Sequence, residues 1–178
     1  MVRRVADDAK CVMKSVMIRA AESWDRPEIL RLNEKFQVAT SPLTDDRLKD
    51  ILDWSTYTRV AEVDGLLVGF IIVMGPASGY DNANLDWFRE RVERFLYVDR
   101  IVVDDGVRGI GTLLYEDLFE FARLLRIPRI VCEYNVSPPN EPSRRFHKKL
   151  GFIEMGERAV NDATKKLSMQ ILELDNDV

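Results

Sequence analysis

The stretch Asp104-Asp105-Gly106-Val107-Arg108-Gly109-Ile110-Gly111-Thr112 restricts the folds open to this chain more than any other. It follows an apolar run, Leu96 to Val103, and precedes an amphipathic stretch from Leu113 to about Arg126. Strand, glycine-rich bend and helix in that order leave a row of backbone N–H groups at the helix start, where the macrodipole favours negative charge. Glycines at 109 and 111 let a ligand reach the main chain without meeting a Cβ, and Arg108 adds a fixed positive charge beside them. Such a cradle suits a diphosphate. Two better-known phosphate loops do not fit. A dinucleotide fingerprint, G-x-G-x-x-G, would put its third glycine at Leu114 when counted from Gly109 and Gly111. A nucleoside-triphosphate loop needs Lys-Ser/Thr after its last glycine, and Gly111 is followed by Thr112-Leu113.

A second stretch runs from Asn135 to Phe152 and carries Asn140 and Ser143 ahead of His147-Lys148-Lys149-Leu150-Gly151-Phe152. Gly151 suits the left-handed residue that closes a short helix. Together the two stretches resemble the signatures of the GCN5-related N-acetyltransferase (GNAT) superfamily. Its coenzyme loop reads Gln/Arg-x-x-Gly-x-Gly/Ala, matched by Gly109 and Gly111, with Arg108 at its frequent basic position. Its second signature, an Asn followed by a short helix ending in aromatic-x-x-Leu-Gly-Phe, is matched by Asn140, Ser143, Leu150, Gly151 and Phe152. The resemblance covers roughly residues 95–157. Two positions depart from it: Gly106 stands at the Gln/Arg position, and His147 stands where many members have a Tyr.

The resemblance implies an α/β (α+β) fold: a mixed, mostly antiparallel central sheet of six to seven strands, flanked by about four helices. A splay is expected between the fourth and fifth strands, here residues 95–103 and 129–135. A chain of 178 residues with 46% hydrophobic content can bury one substantial core, so a single domain over 16–178 is expected after an N-terminal extension, 1–15. That extension reads as loose, with Met17 where a compact domain would begin. A net charge of −4 argues against nucleic acid as the main partner. Cys11 and Cys132 show neither C-x-x-C nor metal spacing, and His147 is the one histidine, so no metal site and a reducing, cytoplasmic setting are expected. No run reaches the ~18 apolar residues of a membrane span.

Taken in order, Val16 to Ala20 reads as a strand. Ser23 to Pro27 reads as the start of a helix reaching about Val38, broken at Ser41-Pro42. Thr44-Asp45 caps a second short helix carrying Leu48, Ile51 and Leu52. Trp24, Phe36 and Trp54 are expected in the core rather than around an acceptor. Thr56–Val63 and Leu66–Met74 flank Asp64-Gly65, the strongest two-residue hairpin signal. Residues 75–84 form the longest polar, Gly-containing segment, followed by a helical turn or two over 85–92; this segment reads as a lid or substrate-selecting loop, or an insertion without ligand contact. In the strand 95–103, Phe95, Tyr97, Asp99, Ile101 and Val103 share one face, and Leu96, Val98, Arg100 and Val102 the other. Leu114, Leu118, Phe121 and Leu125 make one helical stripe. Strands over Arg129–Asn135, Ile153–Glu157 and Lys166–Leu174 complete the sheet, the last two joined around Asn161-Asp162.

The chemistry comes from the resemblance. It implies transfer of an acetyl group from acetyl-CoA, as co-substrate, to a primary amine of a small molecule or amino-acid-like acceptor, by direct attack and without a covalent enzyme intermediate. A protein N-terminus or lysine as acceptor is the alternative, and the departures at Gly106 and His147 keep a non-catalytic acyl-CoA-binding role open. A homodimer is compatible with the sequence. The resemblance places Ile101, Val102 and Val103 along the pantetheine arm, Arg108, Gly109, Gly111 and Thr112 at the diphosphate, and Asn140 close to the coenzyme. Asp99 is the candidate general base, or else the partner of a nearby arginine in a structural ion pair. For protonating the leaving thiolate, His147 and Tyr97 are rival donors.

Overall fold

The computed structural model describes residues 2–5, 14–36, 42–160 and 164–175. In chain order its elements are β1 (Val2–Val5), β2 (Lys14–Ala20), α1 (Arg26–Lys35), α2 (Asp45–Trp54), β3 (Tyr57–Val63), β4 (Leu66–Met74), α3 (Ala83–Arg89), β5 (Phe95–Val103), α4 (Ile110–Leu124), β6 (Arg129–Ser137), α5 (Glu141–Leu150), β7 (Ile153–Val160) and β8 (Lys165–Glu173). A 3-10 turn, Ser23–Asp25, precedes α1. The chain divides into two compact units, one of residues 1–73 and 99–119, the other of 74–98 and 120–178.

In the first unit the strands follow the order β1-β2-β3-β4-β5. The pairs β1–β2, β2–β3 and β3–β4 are antiparallel. Asp64 and Gly65 both take positive φ, 52° and 81°, the conformation that a two-residue hairpin turn demands and that Asp-Gly supplies at low cost. Thr44 caps α2 by accepting from the Arg47 N–H, as expected. Asp25 does not cap α1. It is buried and takes two 2.7 Å bonds from Arg19 instead. Ile29, Leu32, Leu48, Ile51, Phe70, Ile71, Leu114 and Leu118 fill the core of this unit. Trp24, expected in the core, is 71% exposed on its 3-10 turn. The expected end of the first helix near Val38 lies outside the described residues.

In the second unit the order is β5-β6-β8-β7. β6–β8 and β7–β8 are antiparallel, whereas β5 and β6 run parallel. That parallel ladder joins Phe95 to Arg129, Leu96 to Ile130 and Tyr97 to Val131, and it stops there. The mixed, mostly antiparallel sheet and the early end of pairing between its two central strands agree with expectation. One element goes beyond it, β1, which falls within the segment expected as an extension; the helical turns expected over 85–92 form α3, at 83–89. The stripe on α4 is also shifted. Leu114, Tyr115, Leu118 and Ala122 are buried, while Leu125 is 50% exposed, because the helix ends at Leu124 and Arg126 turns to positive φ. No helix among the described residues is long and apolar enough to cross a membrane.

Candidate active site

In the first unit the glycine-rich bend leads into α4. The first helical bond runs from the Leu113 N–H to the Gly109 carbonyl, 3.1 Å, so the amides of Ile110, Gly111 and Thr112 have no acceptor within the helix. They lie at the positive end of its macrodipole. Gly109 has φ +80°, and a Cβ there would meet nothing within 4 Å, so the backbone conformation rather than crowding calls for glycine. Arg108 is exposed, and its guanidinium has no partner among the described residues. The first half of the bend is closed on itself. Asp104 Oδ1 accepts the Gly106 N–H at 3.1 Å, which occupies the main-chain donor at the position where the resemblance implies Gln or Arg. Lys35 Nζ, at the end of α1, reaches Asp104 at 3.1 Å and Asp105 at 2.6 Å. The Gly106 amide and the Lys35 ammonium both hold the Asp104 carboxyl below the usual carboxylate range. Lys35 thereby offsets two negative charges next to a cradle that would receive an anion.

The strand leading into the bend is anchored from one side. The Asp104 N–H donates to the Val68 carbonyl at 2.8 Å, and Val102 O lies 3.1 Å from where a Cβ on Gly69 would sit. Asp104 and Val102 thus turn their main-chain groups toward β4, and alternation directs those of Ile101 and Val103 to the opposite edge. Val102 is buried and packs in the core. Asp99 forms an ion pair: its side chain, 3% exposed, accepts from Arg100 Nε at 2.7 Å. Arg100 also donates to the buried Asn33 Oδ1 at 2.9 Å, tying α1 to β5.

The second unit gathers a polar cluster on one sheet face. Tyr97 Oη donates to Glu133 Oε1 at 2.9 Å, and Asn84 Nδ2 donates to the same oxygen at 2.7 Å. Arg158 Nη1 donates to Asn84 Oδ1 at 2.5 Å. The registers agree with this placement: Val131 pairs with Tyr97, Glu133 with Met169, and Asn135 and Arg158 both with Leu167, and residues two apart on a strand share a face. α3 covers this face. Its Phe88 ring lies 5.9 Å from that of Tyr97, and Trp87 approaches Gly156 so closely that a Cβ there would meet the indole at 3.5 Å. The polar segment ahead of α3 is held to that helix: Asn82 caps it, and Arg89 at its end donates to the carbonyls of Pro76 and Ser78. Glu133, Asn84 and Arg158 were not singled out from sequence. The available signal was a glutamate inside the otherwise apolar run 130–133.

α5 packs on the opposite face. Asn140 caps it by accepting from the Ser143 N–H at 3.1 Å, and Gly151 ends it at φ +95°. His147 is 3% exposed, stacked 5.8 Å from Tyr134 and edge-on to Phe146 and Phe152. Tyr134 follows Glu133 on β6 and therefore faces the other way. The two expected proton donors, Tyr97 and His147, thus belong to opposite faces of the sheet. His147 Nδ1 lies 2.8 Å from the Ser143 carbonyl, which can only accept, so Nδ1 carries the proton. Burial pushes the imidazole pKa down, against a smaller upward pull from Ser143. A folded-state pKa below the unfolded ~6.5 gives stability that is present above that value and lost as pH falls through the folded one. The melting temperature should therefore decline on acidification below about pH 6.5, and His147→Phe should flatten that slope in thermal melts. An unchanged slope would show that the imidazole charges without cost. Among the described residues no group of three or more His, Cys, Asp or Glu side chains could hold a metal ion.

The acetyltransferase (GNAT) family profile matches residues 21–152. The chain belongs to this family, whose fold uses acetyl-CoA as acyl donor, and it is an acetyltransferase. Its fold is similar to that of Ard1 from Thermoplasma volcanium, at TM-score 0.72 and 18% identity over 89% of this chain and 97% of that one. The ribosomal-protein-S18-alanine N-acetyltransferase of Escherichia coli superposes at TM-score 0.67 and 17% identity, covering 89% and 94% of the two chains. The yncA protein of Salmonella typhimurium, solved with its cofactor acetyl-CoA, gives 0.67 and 20% identity over 92% and 96%. Comparison with curated proteins yields no match.

Proposed function

We propose that this acetyltransferase transfers an acetyl group from acetyl-CoA to a primary amine of a small, amino-acid-like acceptor by direct attack. The observation that carries the donor half is the set of three amides, Ile110 to Thr112, that α4 leaves without helical acceptors, next to Arg108, which has no partner among the described residues. These groups suit a diphosphate, and the yncA neighbour contains acetyl-CoA. Gly109 and Gly111 keep the main chain accessible, and the outward main-chain groups of Ile101 and Val103, flanking Val102, are those that would pair with the amide-bearing arm. Asn140 lends its remaining side-chain N–H groups near the coenzyme.

The reaction forms a C–N bond, breaks the thioester C–S bond, and moves a proton from nitrogen to sulfur. Glu133 takes one proton from the acceptor ammonium, which has no lone pair to attack with, and passes it to solvent; once the C–N bond forms it takes the second nitrogen proton, the one that ends on sulfur. Tyr97, whose hydroxyl rests on the same carboxylate, gives its proton to the leaving thiolate and regains one from Glu133. Asp99, which the sequence left as either this base or the partner of a nearby arginine, is paired with Arg100.

The test is release of free CoA thiol from acetyl-CoA across a panel of amines, with acetyl-CoA titration calorimetry alongside. Arg108→Ala should weaken acetyl-CoA binding about tenfold, the loss of roughly 1.5 kcal/mol expected for one charge-assisted contact. Undiminished affinity would remove Arg108 from the cradle, and no uptake of acetyl-CoA by the folded chain would end the proposal.

A further inference from the structure

Arg158 is half-buried on β7, the edge strand of its unit, and its one partner among the described residues is the neutral Asn84 side chain. A guanidinium has five N–H donors, of which Nη1 makes this single bond, and a half-buried cation without a counter-anion is costly. No such explanation is needed for the other arginines of this unit that have carboxylate partners: Arg129 pairs with Glu173, Arg89 with Asp86, Arg91 with Glu90, and Arg144 with Glu141. Asn84 joins opposite charges. Its Oδ1 accepts from Arg158 while its Nδ2 donates to Glu133. A cation and a carboxylate on one sheet face, one amide group apart, form a template with a positive and a negative end.

We infer that Arg158 binds an anionic group, a carboxylate, on the acceptor whose ammonium sits at Glu133, so that the substrate is a zwitterion of the free amino-acid class. This rests on the proposed acetyl transfer and specifies its acceptor. The planar fork of a guanidinium matches a carboxylate with two parallel bonds, and the donors not used by Asn84 are available for them. A peptide N-terminus carries an amide in place of the α-carboxylate and would leave that fork unmatched. Asn84 acts as a positioning residue. It fixes the orientation of both charged groups from α3, directly after the long polar loop.

The experiment compares standard L-amino acids with their C-terminal carboxamides as acceptors, using the full chain, Arg158→Met and Arg158→Lys. Wild type should favour acids over amides at least tenfold in kcat/KM. Arg158→Met should remove that preference, mainly by raising KM for the acids rather than lowering kcat, and Arg158→Lys should keep part of it. Thermal stabilisation by the amino acids alone, read without acetyl-CoA, should likewise be lost in Arg158→Met. Acetyl transfer with equal use of acids and amides, or a preference that survives Arg158→Met, overturns the inference and leaves the acetyltransferase reading standing. Amino-acid stabilisation that depends on Arg158 without acetyl-CoA uptake overturns the reaction and supports the anion site. Absence of both overturns both.

Discussion

Arg100→Met lowers the stability of the protein by about 3–5 kcal/mol, the usual penalty for removing one partner of a buried ion pair. The arginine side chain is 7% exposed and that of Asp99 3%, with 2.7 Å between them. Methionine keeps the stem packed but takes the guanidinium from the carboxylate and from the buried Asn33. At this chain length the melting temperature should drop by roughly 6–20 °C. Because desolvating both charges is itself costly, a double replacement, Asp99→Leu with Arg100→Met, should recover much of the loss. A single-variant loss under about 1 kcal/mol in denaturant unfolding would place the pair in the class of solvated surface bridges.

The elements governed by local rules were legible in the sequence. Asp64-Gly65 had to turn with positive φ, Gly151 had to end a helix, and the apolar run into Gly109 and Gly111 had to be strand, bend and helix. The contacts that make the second cluster were not. Asn84 meets Glu133 across 49 residues and Arg158 across 74, through a strand order in which β8 lies between β6 and β7. Alternation told which residues of β5 share a face. Which face α5 covers depends on that non-sequential order, so Tyr97 and His147 looked like rivals for one proton although a sheet separates them. Asp99 shows the same limit in another form. Its charge inside an apolar strand signalled either pairing or catalysis, and the neighbouring Arg100, on the opposite face by simple alternation, gave no sign that its side chain would bend back to it.

Glu133→Gln should reduce kcat by 10²–10⁴, the range that a positioned proton acceptor contributes. Glutamine keeps the shape and an oxygen able to accept from both Tyr97 and Asn84, so the cluster should stay assembled and acetyl-CoA affinity unchanged. What it lacks is the basicity to take a proton from an ammonium. Raising the pH, which frees the amine without help, should therefore restore part of the rate in this variant. Tyr97→Phe should give a smaller loss, because water can replace its hydroxyl at the thiolate. Asp99→Asn tests the alternative directly: measured per folded molecule, its kcat should stay within about threefold of wild type if Glu133 is the base, since general-base removal costs far more than that. The reverse pattern, with turnover lost in Asp99→Asn and kept in Glu133→Gln, would return the base to β5 and leave the Tyr97–Glu133–Asn84 cluster a structural role.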